Sequence, residues 1–257
     1  MNESNALITS RREFLANTSK IIAASALAGV AIPRVHAAVS DTVQVALVGC
    51  GGRGTGAAAN ALSTIKQGPI TLTAMADVFK GRLKDSYGNL KNNFKDLVDV
   101  PEDKQFLGFD GYQKAMDALK PGDIVILTTP PAFRWVHFTY AIKKGLNVFM
   151  EKPVAVDIPG VRTVMEAGAL AKQNGLGIAA GTQRRHTKSY QETIQRIRDG
   201  AIGEIVYARC SWDGSEIWVV NRQPQWTDIE WQLRNWNYFT WLSGDHYVEQ
   251  HVHNLDV

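Results

Sequence analysis

The sequence predicts an α/β fold built on a doubly wound parallel sheet. Apolar, β-branched runs alternate with helix-prone segments, a glycine-rich turn joins the first run to the first helix, and an aspartate closes the second run. The first strand is expected over 43–48, and the helix-prone stretch begins near Thr55. Between them stands Gly49-Cys50-Gly51-Gly52-Arg53-Gly54. The strand, turn and helix order gives each glycine a physical task. Gly49 permits the tight turn, Gly51 lets the backbone approach a pyrophosphate, and Gly54 lets the helix lie close to the strand. Phosphates would sit at the helix N-terminus, where free N–H groups and the helix dipole favour negative charge, so Gly52 and Arg53 join the candidate contacts. A turn that merely connects strand to helix is the plain alternative.

The second strand, 70–76, ends at Asp77, 28 residues beyond Gly49. An acid at about 20 residues from the first glycine accepts hydrogen bonds from the adenosine ribose, and a longer first helix and turn account for the difference here. An unpaired carboxylate favours NAD over NADP by repelling a 2′-phosphate, although Arg53, Lys80 and Arg82 soften that preference and leave NADP open. A cap on the helix expected near Phe79 is the alternative use of Asp77. A buried strand follows over 123–128, closed by Thr129-Pro130-Pro131, then a helix from about Trp135 to Lys144 and a strand over 147–150. That strand runs into Glu151-Lys152-Pro153. In an open parallel sheet ligands bind beyond the carboxyl ends of the strands, so Lys152 would face the cleft as a proton donor or acceptor. The alternative for Lys152 is an ordinary solvated lysine.

The N-terminal segment has a different character. Ser10-Arg11-Arg12-Glu13-Phe14-Leu15, a weakly apolar run from Ile21 to Ile32 and the small residues around Ala37 read as a twin-arginine signal over 1–37. The run is too short to span a hydrocarbon core of about 30 Å. The expected location is periplasmic or otherwise exported, with no membrane attachment after cleavage. An uncleaved amphipathic helix is the competing reading. A formal net charge of +3, part of which leaves with the signal, excludes a nucleic-acid footprint. Two cysteines, Cys50 and Cys210, do not make a disulfide framework.

The glycine turn, Thr129-Pro130-Pro131 with His137 after it, Glu151-Lys152-Pro153, and the stretch 199–205 together resemble the glucose–fructose oxidoreductase and inositol dehydrogenase family (Gfo/Idh/MocA). The resemblance implies a Rossmann dinucleotide-binding domain over 38–182 and a partial C-terminal substrate and oligomerisation domain over 183–257. It adds Thr129, Pro130, His137, Glu151 and Lys152 to the coenzyme contacts and implies a cis bond before Pro153. It aligns His253 with the family's catalytic base. Glu249, four residues earlier, stands where aspartate is more usual; on a regular helix it would share a face with His253 and orient the imidazole.

The resemblance also implies that the second domain opens into a mainly antiparallel sheet, of which 205–212 is the strand expected here, so the chain reads as truncated. The full-length form is expected to be a homo-oligomer acting on a small carbohydrate. A metal at His246, His251, His253 and Glu249 is the competing use of those residues. Helix positions two apart diverge and no His-Glu-x-x-His motif is present, so none is expected. Six tryptophans, Trp212, Trp218, Trp226, Trp231, Trp236 and Trp241, precede this helix. Their faces suit sugar rings and suit core or subunit packing equally well. Gln183-Arg184-Arg185-His186 stands where the substrate cleft would open.

The function implied is NAD(P)-dependent oxidation of a sugar or polyol, His253 taking the hydroxyl proton and Lys152 assisting. Export implies a tightly held coenzyme, since nicotinamide nucleotides belong to the cytosol. An NAD-dependent glycoside hydrolase and a noncatalytic binding protein or remnant are the alternatives.

Overall fold

The computed structural model describes residues 42–257; the proposed signal, 1–37, lies outside them. Six strands form one parallel sheet: β1 (Val43–Val48), β2 (Ile70–Asp77), β3 (Gln105–Leu107), β4 (Ile124–Leu127), β5 (Asn147–Met150) and β6 (Ile178–Ala180). Their order is β3-β2-β1-β4-β5-β6. The order reverses direction between β1 and β4, and the crevice beyond the strand ends at such a switch point is where this architecture binds ligands.

The strands read as apolar runs because both faces of the sheet are covered. Along β1, Ala46 and Val48 enter one core with α3 (Gly111–Asp117), α4 (Arg134–Lys143) and α5 (Ile158–Gln173). Val45 and Leu47 enter the opposite core with α1 (Gly52–Leu62) and α2 (Lys80–Phe94). The period of two along a strand makes this division. Asp157 starts α5 by accepting the Gly160 N–H at 2.7 Å, a side-chain N-cap.

Beyond β6 come α6 (Lys188–Arg198), α7 (Asp228–Arg234), α8 (Thr240–Ser243), a π-helical turn (Tyr247–His251) and α9 (Val252–Leu255). The strand expected over 205–212 does not form; Val206 is 93% exposed and Tyr207 77%. β-branched and aromatic residues favour a strand only when a neighbouring strand offers a half-buried surface, and among the described residues none pairs with this stretch.

Candidate active site

The glycine turn has the geometry its spacing requires. Gly49 has φ +99°, and a Cβ there would stand 2.7 Å from the backbone of Thr128 and Thr129. A Cβ on Gly54 would lie 1.9 Å from the Gly49 carbonyl oxygen. Gly51 and Gly52 face open space, with nothing within 4 Å of an added Cβ. The two outer glycines are thus required by the fold itself, while the inner two leave room for a ligand. The turn borders a cavity of about 580 Å³, also lined by Arg53, Asp77, Thr129, Pro130 and His137. A volume of this order accommodates a cofactor-sized molecule.

Asp77 ends β2 and ties two segments together. Its Oδ2 accepts the Cys50 N–H at 2.7 Å and its Oδ1 the Phe79 N–H at 2.8 Å. It therefore braces both the glycine turn and the approach to α2, and each carboxylate oxygen keeps acceptor capacity toward the cavity. Arg82 also lines the cavity. Burial and Arg234 nearby lower its pKa against the opposing pull of Asp77.

The wall after β4 rests on a residue that motif reading passed over. Arg134 is 1% exposed; its Nη1 donates to the Leu127 carbonyl at 2.7 Å and its Nη2 to the Thr129 carbonyl at 2.9 Å. A cation in the first turn of a helix opposes the dipole, and this was the available sign that Arg134 serves other carbonyls. Burial lowers its pKa to about 10, with Glu151 pulling the other way, so it stays charged at neutral pH. His137 Nδ1 lies 3.2 Å from Thr129 Oγ1, and its ring packs tilted against that of Tyr112, centres 4.2 Å apart. Burial, and then the charge of Arg134, lower its pKa to about 3.

His137 is thus neutral in the folded chain, whereas the unfolded chain protonates it below about pH 6.5. The depressed value contributes stability that is complete above the unfolded pKa and drains away as pH falls toward 3. Wild type is expected to lose about 3 kcal/mol from this group between pH 6.5 and 4. Urea denaturation across that range should show a visibly flatter loss for His137→Gln.

At the carboxyl end of β5 the structure gathers Glu151, Lys152, Glu249 and His253. The Lys152–Pro153 bond is cis. Lys152 Nζ donates to the Glu249 carboxylate at 2.5 Å and to its backbone carbonyl at 2.6 Å. Their side chains are only 14% and 8% exposed. Glu151 accepts from Arg53 Nε at 2.7 Å, joining the glycine turn to this cluster. Gly181 crowds the same carboxylate: a Cβ there would come within 2.6 Å of it.

One sequence expectation is corrected here. Glu249 does not orient His253; its carboxylate is taken by Lys152 and by the Gln250 side-chain amide. The reason is the wider π-helical turn over Tyr247–His251, which gives way to α9 between the two residues and breaks the face that a regular helix would give them. A buried carboxylate also gains more from an ammonium than from an imidazole. His253 instead stacks near Trp212, ring centres 5.7 Å apart. Arg184 holds that segment, its Nη1 donating to the His253 carbonyl at 3.2 Å and to the Asn254 side chain. Burial, then Lys152, then Arg184 lower the His253 pKa, so the imidazole remains a free base through neutral pH. Of the other histidines in this segment, His246 Nε2 donates to the Trp212 carbonyl at 3.2 Å, and His251 Nε2 lies 3.5 Å from Cys210 Sγ.

Similarity to known proteins follows the same lines. No family model matches the chain. An uncharacterized oxidoreductase of Streptococcus pneumoniae is 28% identical over 134 residues, 52% of this chain and 32% of that protein. An inositol 2-dehydrogenase of Azotobacter vinelandii is 30% identical over 116 residues, 44% of this chain and 32% of that protein. The chain thus spans about a third of the length of the curated relatives it matches. A crystal structure of myo-inositol 2-dehydrogenase from Lactobacillus plantarum superposes with a TM-score of 0.52 at 23% identity, over 65% of this chain and 44% of that one, and shares the parallel-sheet fold.

Proposed function

We propose that this chain belongs to the glucose–fructose oxidoreductase and inositol dehydrogenase family (Gfo/Idh/MocA) and forms the coenzyme half of an NAD(P)-dependent dehydrogenase acting on a sugar or polyol. The observation that carries the reading is a glycine-lined cavity at the carboxyl rim of one parallel sheet, joined through the Arg53–Glu151 pair to the largely buried Lys152–Glu249 pair at the end of β5. The residues fit a dinucleotide. Gly51 and Gly52 leave open space against the N-terminus of α1, and Asp77 ends β2, where an acid would meet the ribose of a bound dinucleotide. Gly49 to Gly54, Asp77, Thr129 and Pro130 would hold it. When bound, the nicotinamide supplies a hydride acceptor.

The remaining chemistry belongs to the chain. His253 accepts the proton of the substrate hydroxyl, a task that needs the neutral imidazole which burial and two cations maintain. Lys152, anchored through two of its N–H groups by Glu249, offers the third to the substrate oxygen and steadies the charge it develops. Glu249 acts through Lys152 as a positioning residue. Arg134 and His137 hold the Thr129 wall, and Arg53 with Glu151 links the two halves of the site.

Inositols and related polyols are the substrates to test first, with NAD and NADP compared directly. His253→Ala is expected to lower kcat/KM by a factor of about 10²–10⁴ while leaving coenzyme affinity within a few-fold. An unchanged rate would remove His253 from the mechanism. The same assays run on nitrophenyl glycosides distinguish net oxidation from glycoside cleavage. Export through the twin-arginine route with coenzyme already loaded belongs to the same proposal; the nucleotide recovered from protein purified from the periplasm tests it.

A further inference from the structure

One wall of the cavity comes from outside the sheet. Trp218, Leu233 and Trp236 line it together with the glycine turn and the strand ends. Leu233 and Leu242 form a small core with Phe79, against which Phe133, Trp236 and Phe239 lie. Phe79 follows β2 and Phe133 follows β4, so this segment rests on both rims of the crevice. The Arg234 guanidinium sits 4.1 Å from the Phe79 ring centre and 4.3 Å from that of Trp226, its charge matched by Glu230 at 2.8 Å.

The loop that carries Trp218 has no regular secondary structure, yet it is firmly attached. Asn235, 2% exposed, accepts the Val220 N–H at 2.7 Å and donates to the Val220 carbonyl at 2.9 Å. Trp231 Nε1 donates to that same carbonyl at 3.2 Å, and the Tyr238 hydroxyl donates to the Ile217 carbonyl at 2.8 Å. One buried amide thus satisfies both backbone groups of a loop residue, which ties the indole of Trp218 to the end of α7.

We infer that the segment 217–239 is a fixed cover over the adenosine end of the coenzyme cleft, and that it sets how fast coenzyme leaves. The inference rests on the coenzyme reading given above. The end is identified by Asp77, the ribose-side acid, with Phe79 two residues beyond it. Trp218 and Trp236 present flat apolar surface suited to a purine base. A bound dinucleotide gives up the indole surface of Trp218 and Trp236 as it leaves, and contacts of this kind are felt mainly in the dissociation rate.

The test measures release of NADH or NADPH, whichever binds more tightly, from the full chain by stopped-flow displacement with excess oxidised nucleotide. Asn235→Ala, which strands the Val220 backbone, and Trp218→Ala, which removes the wall, should each release reduced coenzyme about tenfold faster or more. Association rates should move much less. Trp218 is 47% exposed, so its truncation keeps the test valid even if Asn235→Ala fails to fold, as circular dichroism would show. Release from Trp218→Ala at the wild-type rate overturns the cover and leaves the coenzyme reading standing. Binding of neither nucleotide to the wild-type chain overturns that reading and the cover with it.

Discussion

Gly54→Ala is expected to destabilise the chain by about 3 kcal/mol or more. Helix propensity alone argues the other way, since alanine within a helix is favoured over glycine by about 1 kcal/mol. The added Cβ, however, would lie 1.9 Å from the Gly49 carbonyl oxygen and 2.6 Å from Thr128 Oγ1. The nearer atom is backbone and cannot rotate aside, so either α1 must lift from β1 or the turn must open. Both movements expose Ala57, Ala58 and Leu62, which lie in the core shared with Val45 and Leu47. Thermal and urea unfolding measure the loss directly. Stability within about 0.5 kcal/mol of wild type would show that the turn yields more readily than its contacts indicate.

Gly51→Ala provides the counterpart. The backbone there is extended, with φ −71° and ψ 180°, and an added Cβ meets nothing within 4 Å. The fold should tolerate it, or even gain about 0.4–1 kcal/mol through a less flexible unfolded chain. The same methyl would stand in the space through which a pyrophosphate reaches the backbone, so nucleotide affinity should fall although stability does not. A fluorescence titration with NADH beside a melting curve separates the two glycines: one is needed for packing, the other for the ligand.

Lys152→Met is expected to have the second large effect, and it acts on stability and chemistry together. Removing the ammonium leaves the Glu249 carboxylate, 8% exposed, without its cation; breaking a buried pair from one side costs about 3–5 kcal/mol. The double variant Lys152→Met with Glu249→Gln should recover much of that loss, because no unpaired charge then remains. Activity should not recover, and a fall in kcat of about 10²–10⁴ is expected in both variants. A third readout is independent of turnover. Lys152 is a principal cause of the lowered His253 pKa, so its loss should move that pKa upward. The His253 resonance followed by NMR should titrate at higher pH in Lys152→Met than in wild type, and the acid limb of any residual kcat/KM profile should shift the same way. A His253 titration that Lys152→Met leaves in place would separate the two residues electrostatically and remove the lysine from the proposed site.

Much of the parallel sheet was legible in the sequence. Strands with two covered faces announce themselves as apolar runs, and β1, β2, β4 and β5 stand within a residue or two of the expected positions. Asp77 closes β2 as its spacing required. β3 carried no such signal: three residues at a sheet edge show no period. Among site residues, Arg134 and Asn235 have no motif of their own, since each works by hydrogen-bonding backbone from another part of the chain. Arg184 stood within the noted stretch 183–186, but its work on the His253 carbonyl could be assigned only from contacts.

What the sequence alone determined is local in its physics. Glycines without a Cβ, a rigid Thr-Pro-Pro corner and alternating apolar runs constrain the chain within a turn or a strand, and these established the parallel sheet and the glycine-lined crevice. The partnerships of the charged groups were decided by the tertiary structure. Glu249 turned to Lys152 rather than His253 because a π-helical turn rotated it toward a buried ammonium supplied from β5, and the strand expected over 205–212 stayed unformed for want of a neighbour. Both outcomes depend on which group from a distant part of the chain arrives within a few ångströms, a distance that side-chain pattern along the sequence does not encode.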